Sequence, residues 1–223
     1  MGTLYLVRHG QASFGADDYD QLSPLGQQQA LRLGEFWRSR GQRFDAVLTG
    51  TLRRHGQTLA GIAEGLQCGL DALQWPGLDE YDSAALIAAI RSDLPPGADT
   101  VQRRSHYFRL LCSAMAQWMA GSIQPEGMPS WAAFSDGVRQ ALEHIRVNHA
   151  GQQVLLVSSG GPISTAVAQV MGSAPEVVIG LNMRLRNSAV TEFSFSGKRL
   201  TLKTFNTLPH LNELTQADHI SLI

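Results

Sequence analysis

The chain is poor in cysteine, in charge and in long apolar runs. Cys68 and Cys112 are its only cysteines among 223 residues. Two thiols without motif spacing support neither a disulfide framework nor a zinc site, and they read as ordinary buried thiols of a reducing compartment. Charged residues make up 17% of the chain and the formal net charge is −1. With no basic excess and no polybasic run, nothing draws in nucleic acid or a membrane surface. An anion site would have to be local, built from a few converging arginines. No apolar run reaches the roughly 18 residues of a membrane span. The amino terminus lacks the basic and apolar regions of a signal peptide, and Leu6 stands where a myristoylation signal wants Ser or Thr. A cytoplasmic location is expected by default.

What is present is an ordinary globular composition, 43% hydrophobic with 22 glycines. The length favours one domain, 1–223, with an insertion. Residues 1–7 read as a strand. Ser23-Pro24 reads as an N-cap and a first-turn proline, opening a helix that runs past Leu33 and Trp37 to stop near Gly41. Phe44 to Thr49 reads as a second strand and Gly50 to Leu66 as a second helix. Residues 70–80 look irregular. Ala84 to Arg91, Thr100 to Ala120 and Trp131 to Asn148 look helical, with Tyr107, Leu110, Leu111 and Ala114 expected on one face and Pro/Gly-rich breaks at 93–97 and 121–129. Gln153 to Ser158 is a buried strand candidate, and Pro162 to Met171 a helix starting at a glycine-rich turn. Arg186 to Phe195 and Leu200 to Phe205 form a hairpin. This order predicts a three-layer α/β/α sandwich with a mostly parallel central sheet and a helical insertion at about 83–133.

Four spots could carry chemistry, each at a strand end, a helix start or an irregular loop: Arg8-His9-Gly10-Gln11, Thr51 to Thr58, Leu78-Asp79-Glu80-Tyr81 and Val157 to Ile163. Loops after parallel strands open on one sheet edge and can converge. A histidine beside a fixed positive charge suits an anion such as a phosphate. Each residue has a plainer reading: His9 as the cap of a buried strand, Arg54 as a solvated helix arginine, Glu80 as a surface carboxylate. Gln11, Ser13 and Ser23 are candidate phosphate donors, Ser23 equally a helix cap. His55, His106, His144, His149 and His219 read as surface or structural, and the five-residue step from His144 to His149 misses a helical metal pair. Ser159 follows a strand and precedes a helix like a nucleophile elbow. Val157, however, stands where that pattern needs its first glycine.

In order and spacing these blocks resemble the histidine phosphatase superfamily, the group of phosphoglycerate mutases and related phosphatases. The resemblance rests on Arg8-His9-Gly10, on Leu22-Ser23-Pro24-Leu25-Gly26, on Arg54 three residues before Gln57-Thr58, on Glu80 after Leu78-Asp79, and on Phe205-Asn206 and His210-Leu211. It spans most of the chain. One departure stands out: Ser159 occupies the place of the family's second active-site histidine. Tyr81 to Ala84 also replace a glycine-rich stretch common after the glutamate.

The resemblance implies a metal-independent phosphomonoester hydrolase, without cofactor, acting on a small phosphorylated substrate. His9 would be the nucleophile and form a phosphohistidine. Arg8 and Arg54 would hold the phosphoryl oxygens, and Glu80 would protonate the leaving alcohol. Ser159 and the backbone of Gly160 would assist binding, with turnover slowed by about 10² to 10³ for want of one preorganised donor. Two alternatives stay open: a degenerate member that binds a phospho-ligand without turning it over, and a phosphomutase. Phe14, Tyr19, Trp75, Tyr81, Tyr107 and Trp131 are candidates for the outer wall of the pocket, or for the core.

Overall fold

Strands β1 (Gly2–Arg8) and β4 (Gln153–Ser158) lie side by side at the centre of the sheet, parallel and in a register that sets Arg8 opposite Ser158. Both are apolar on both faces, as strands covered on two sides must be; Val154 to Val157 are fully buried. The structure, a computed structural model, describes residues 1–13, 20–90, 100–211 and 217–222, with backbone alone at 100–104. Phe14, Tyr19 and the break at 93–97 lie outside the described residues.

Beyond β4 come β2 (Ala46–Thr49) and β3 (Leu73–Gln74), both parallel. Beyond β1 come β5 (Val190–Phe195) and β6 (Leu200–Thr207), an antiparallel hairpin. The sheet order is therefore β3-β2-β4-β1-β5-β6. Side chains alternate between faces along each strand. Val7, Leu155 and Val157 meet Ala30, Leu33 and Ile62 from α1 (Pro24–Ser39) and α2 (Arg53–Leu66). Leu4, Leu6 and Leu156 meet Val138, Ile145 and Val167 from α5 (Trp131–Asn148) and α6 (Gly160–Met171) on the other face. This is the expected three-layer sandwich. A third apolar cluster, including Leu86, Leu111, Met115, Trp118 and Phe134, joins α3 (Ser83–Ala89) and α4 (Thr100–Met119) to α5.

Local chemistry sets the helix that backs the site. Ser23 Oγ accepts the Gly26 N–H at 3.1 Å, and Pro24 fills the first position. Gly10 and Gly26 bring two backbones together: a Cβ on Gly10 would lie 2.4 Å from the Gly26 carbonyl oxygen. Several expectations need correction. Cys68 is exposed and Cys112 half-buried, so neither is a buried thiol. Tyr107 and Leu110 are not on the buried face with Leu111 and Ala114; Tyr107 is 37% exposed. Strand β3 falls in the stretch read as irregular, and α7 (Val177–Asn182) is a short helix without a cap signal. Helix α2 begins at Arg53 rather than Gly50, and α6 at Gly160 rather than Pro162. Among the described residues no helix is long and apolar enough to cross a membrane.

Candidate active site

The carboxyl ends of β1 and β4 meet where the strand order switches, which is where α/β sheets open a crevice. His9 follows β1 there. Its backbone N–H donates to Ser158 O at 2.9 Å and its carbonyl accepts from Ser188 N at 3.1 Å, so both sides of the residue are pinned. Its Nδ1 lies 2.7 Å from the Gly10 carbonyl oxygen. A carbonyl can only accept, so Nδ1 carries the hydrogen and Nε2 keeps its lone pair. Burial, reinforced by the nearby charges of Arg8 and Arg54, drives the imidazole pKa well below its usual value. The ring is therefore neutral at physiological pH.

Arg8 ends β1 and is held by the carbonyl of Leu222, at 2.8 Å, and by that of Leu185. Arg54, in the first turn of α2, is 6% exposed, and its Nη1 lies 2.8 Å from Asp20 Oδ1. The other oxygen of Asp20 accepts the Arg53 N–H at 2.8 Å and so caps the start of α2. Arg53 itself is exposed, which fits the choice of Arg54 by spacing. Thr58 ties α2 to the loop after β1: its hydroxyl accepts the Gly10 N–H at 3.1 Å and donates to the Arg54 carbonyl at 2.7 Å.

Glu80 sits across from these groups, its carboxylate accepting the Gly161 N–H at 3.0 and 3.2 Å and the Tyr81 N–H at 3.3 Å. Burial raises its pKa, with Arg54, the Gly161 bond and Arg8 pulling the other way. The approach requires a glycine, because a Cβ on residue 161 would lie 2.2 Å from Glu80 Oε1. Arg8, His9, Arg54 and Glu80 line one cavity of about 960 Å³. Among the described residues no cluster of three His, Cys, Asp or Glu is placed to hold a metal ion.

The other predicted site residues are not brought to this cavity. Gln11, Ser13, Ser23, Ser159 and Gly160 do not line it. Gln11 instead accepts the Ser23 hydroxyl at 2.8 Å while its N–H donates to Gln29 at 2.9 Å. These side chains brace the loop against α1. Ser159 is fully buried with its Oγ 2.7 Å from His55 Nε2. Of the proposed wall residues, Tyr81 and Tyr107 line the cavity, whereas Trp75 lies beside His144 and Trp131 beside Trp118.

His55, read from the sequence as surface or structural, stands close behind His9. It is fully buried, and its ring centroid is 5.9 Å from that of His9. Its Nδ1 faces Asp79 Oδ1 at 3.7 Å, and Asp79 in turn accepts the Thr51 N–H at 2.6 Å. Burial and Arg54 push its pKa down to about 3. The signal was available: His55 follows Arg54 directly and falls on the apolar stripe with Leu59 and Ile62, at helical spacing.

Residues 4–208 match the family model of the Histidine phosphatase superfamily (branch 1). The chain is 27% identical over 221 residues to phosphoglycerate mutase-like protein 4 of Arabidopsis thaliana, covering 94% of this chain and 87% of that protein. Its fold is similar to that of a phosphoserine phosphatase of Entamoeba histolytica in complex with phosphoserine, at TM-score 0.66 and 19% identity, covering 95% and 100% of the two chains. It is equally similar to the alpha-ribazole phosphatase of Shigella flexneri, at TM-score 0.66 and 21% identity over 92% and 96%.

Proposed function

The chain belongs to the histidine phosphatase superfamily, and from that premise we propose that it is a metal-independent phosphomonoester hydrolase working through a phosphohistidine on His9. The observation that carries this reading is the His9 ring, neutral and bonded through Nδ1 to a carbonyl, in one cavity with Arg8, Arg54 and Glu80. The bare Nε2 attacks phosphorus and the bond to the leaving oxygen breaks, while protonated Glu80 gives its proton to that oxygen. Water then attacks the phosphohistidine, passes a proton to the Glu80 carboxylate, and the nitrogen–phosphorus bond breaks to return neutral His9. Arg8 and Arg54 offset the charge on the transferring group, the task a metal ion performs elsewhere. The raised pKa of Glu80 supports its role as the acid.

Ser159 in place of the second histidine supports slowed turnover, and with it a second reading, a phospho-ligand-binding protein that does not hydrolyse. The neutral His55 supports this second reading. Among the described residues His55 Nδ1 makes no hydrogen bond, but the Asp79 carboxylate 3.7 Å away favours a proton on that side by its charge, and in that tautomer Nε2 would accept the Ser159 hydroxyl proton. That proton is then committed to His55 and not offered to a phosphoryl oxygen.

Phosphate release from a generic phosphomonoester, measured for the native protein and for His9→Ala, tests the proposal. The native protein is expected to release phosphate and to hold acid-labile phosphate on His9 after a rapid acid-free quench, and the variant to do neither. The rate should fall as pH rises through the raised pKa of Glu80, where the acid is lost. Equal release by both proteins overturns the reading. Saturable vanadate binding without turnover selects the second one.

A further inference from the structure

The cavity extends well past the reactive end. Its cations Arg8 and Arg54 sit beside His9, and among the described lining residues the one other cation is Arg109, which is exposed. The walls beyond are largely apolar: Tyr81, Tyr107, Phe108, Leu111, Met183 and Leu222. Both tyrosine hydroxyls are already engaged, Tyr81 with the Asn182 amide at 2.6 Å and Tyr107 with Ser83 Oγ at 2.9 Å. Each tyrosine thus offers the cavity mainly the apolar surface of its ring, with its hydroxyl already in one hydrogen bond. Asn182 and Ser83, two of the polar lining groups, are the partners in these bonds. A third, the Asp82 carboxylate, accepts the Ala84 and Ala85 N–H groups at 2.8 and 3.0 Å.

A substrate body rich in hydroxyls would find few polar partners on such a wall besides the exposed Ser105 and Arg109, since Ser83, Asn182 and Asp82 already hold hydrogen bonds. A second anionic group would meet Asp82 and Glu80, and away from the reactive end the one cation among the described lining residues is the exposed Arg109, a weak, solvent-screened partner. A volume of about 960 Å³ is at the top of the range of pockets that enclose drug-sized molecules. Resting on the phosphatase reading and narrowing it, we infer that the physiological substrates are monoesters of a bulky apolar or aromatic alcohol, carrying the phosphoryl group as their sole anionic centre. The phosphoryl group takes the end formed by Arg8, His9 and Arg54. The alcohol lies along the rings of Tyr81, Tyr107 and Phe108, where its burial contributes affinity in proportion to area.

The test compares phenylpropyl phosphate with glycerol phosphate, phosphoserine and phosphoglycerate. All are esters of aliphatic alcohols, so leaving-group acidity does not decide the order. The expected kcat/KM is at least about tenfold higher for phenylpropyl phosphate than for any of the others. Equal or faster turnover of phosphoserine or phosphoglycerate overturns the inference and leaves the phosphatase reading standing. No release from any of the four overturns the phosphatase reading, and a binding arm then decides the wall: calorimetry with phenylpropyl phosphonate against carboxyethyl phosphonate. Binding at least about tenfold tighter for the first sustains the apolar wall, and equal or reversed affinities overturn it. Phe108→Arg should narrow the gap between phenylpropyl phosphate and phosphoglycerate by about tenfold, and an unchanged ratio counts against the inference. If Phe108→Arg does not fold, Phe108→Ser reads the same ratio.

Discussion

The most consequential contact at the scale of single residues is the 2.7 Å bond between His55 and Ser159. Both side chains are fully buried, so each satisfies a polar atom the other would otherwise orphan. Losing one partner of such a pair costs about 1–3 kcal/mol. Under the proposed reading, His55 in the first turn of α2 takes the room that a histidine at position 159 would need, as though the two rings had been exchanged. A double-mutant cycle tests this. Ser159→His alone forces a second ring against His55, and overpacking of that kind costs about 1–3 kcal/mol. His55→Ala alone leaves a cavity and an unsatisfied hydroxyl. The double variant has room for the new ring and is expected to melt closer to the native protein than the sum of the singles allows, with a coupling of about 1–3 kcal/mol. Its kcat should rise by roughly tenfold or more above that of His55→Ala, as a donor is restored beside the phosphoryl site. Additive melting temperatures and an unchanged kcat would remove the idea of exchanged rings.

Elements rather than residues decide where Glu80 points. It follows the short 3₁₀ turn Pro76–Leu78, after β3, and is held by the amino end of α6, whose first N–H groups seek an anion. Gly161→Ala is therefore predicted to displace the carboxylate, since the added Cβ would lie 2.2 Å from Oε1 and 2.8 Å from the Tyr81 ring. A fall in kcat of about 10² is expected with KM little changed, because the acid is misplaced while the arginines are not. Kinetics with an activated aryl phosphate provides the control: a good leaving group needs less protonation, so the loss should shrink there. The sequence announced most of this framework. Ser23-Pro24 marked the start of α1, the apolar run at 153–158 marked a central strand, and the order of strands and helices marked the sandwich. Arg8, His9, Arg54 and Glu80 were legible because each sits next to a local signal, a strand end or a fixed spacing. Gln11 and Ser23 bond to one another, and a polar side chain near the site can equally brace a loop, a pairing not written in either residue's neighbourhood. Asn182, Met183 and Leu222 reach the cavity from the far end of the chain, so no local pattern names them.

Across the whole molecule, three imidazoles are folded in their neutral form. Burial drives the pKa of His9 well down, and that of His55 and His210 to about 3, with neighbouring arginines adding to the effect. In the unfolded chain each would titrate near 6.5. As pH falls below that value the unfolded state takes up protons that the folded state refuses, so stability falls. The loss continues down to the folded pKa, near pH 3 for His55 and His210. Each such ring contributes a slope of up to about 1.4 kcal/mol per pH unit. Glu80 acts in the opposite sense: its folded pKa is raised, so between that value and its ordinary one acid favours the folded state. One carboxyl cannot offset three rings. Urea unfolding at a series of pH values from 7 to 4.5 should therefore show a steep decline in stability beginning near pH 6.5. His55→Asn removes one titrating group and should flatten the decline by up to about 1.4 kcal/mol per pH unit, whatever it does to stability at pH 7. A native slope no steeper than that of His55→Asn would mean that the folded ring takes up its proton as readily as the unfolded one and is charged at the acid end of the series. The Ser159 bond would then run the other way, with His55 donating.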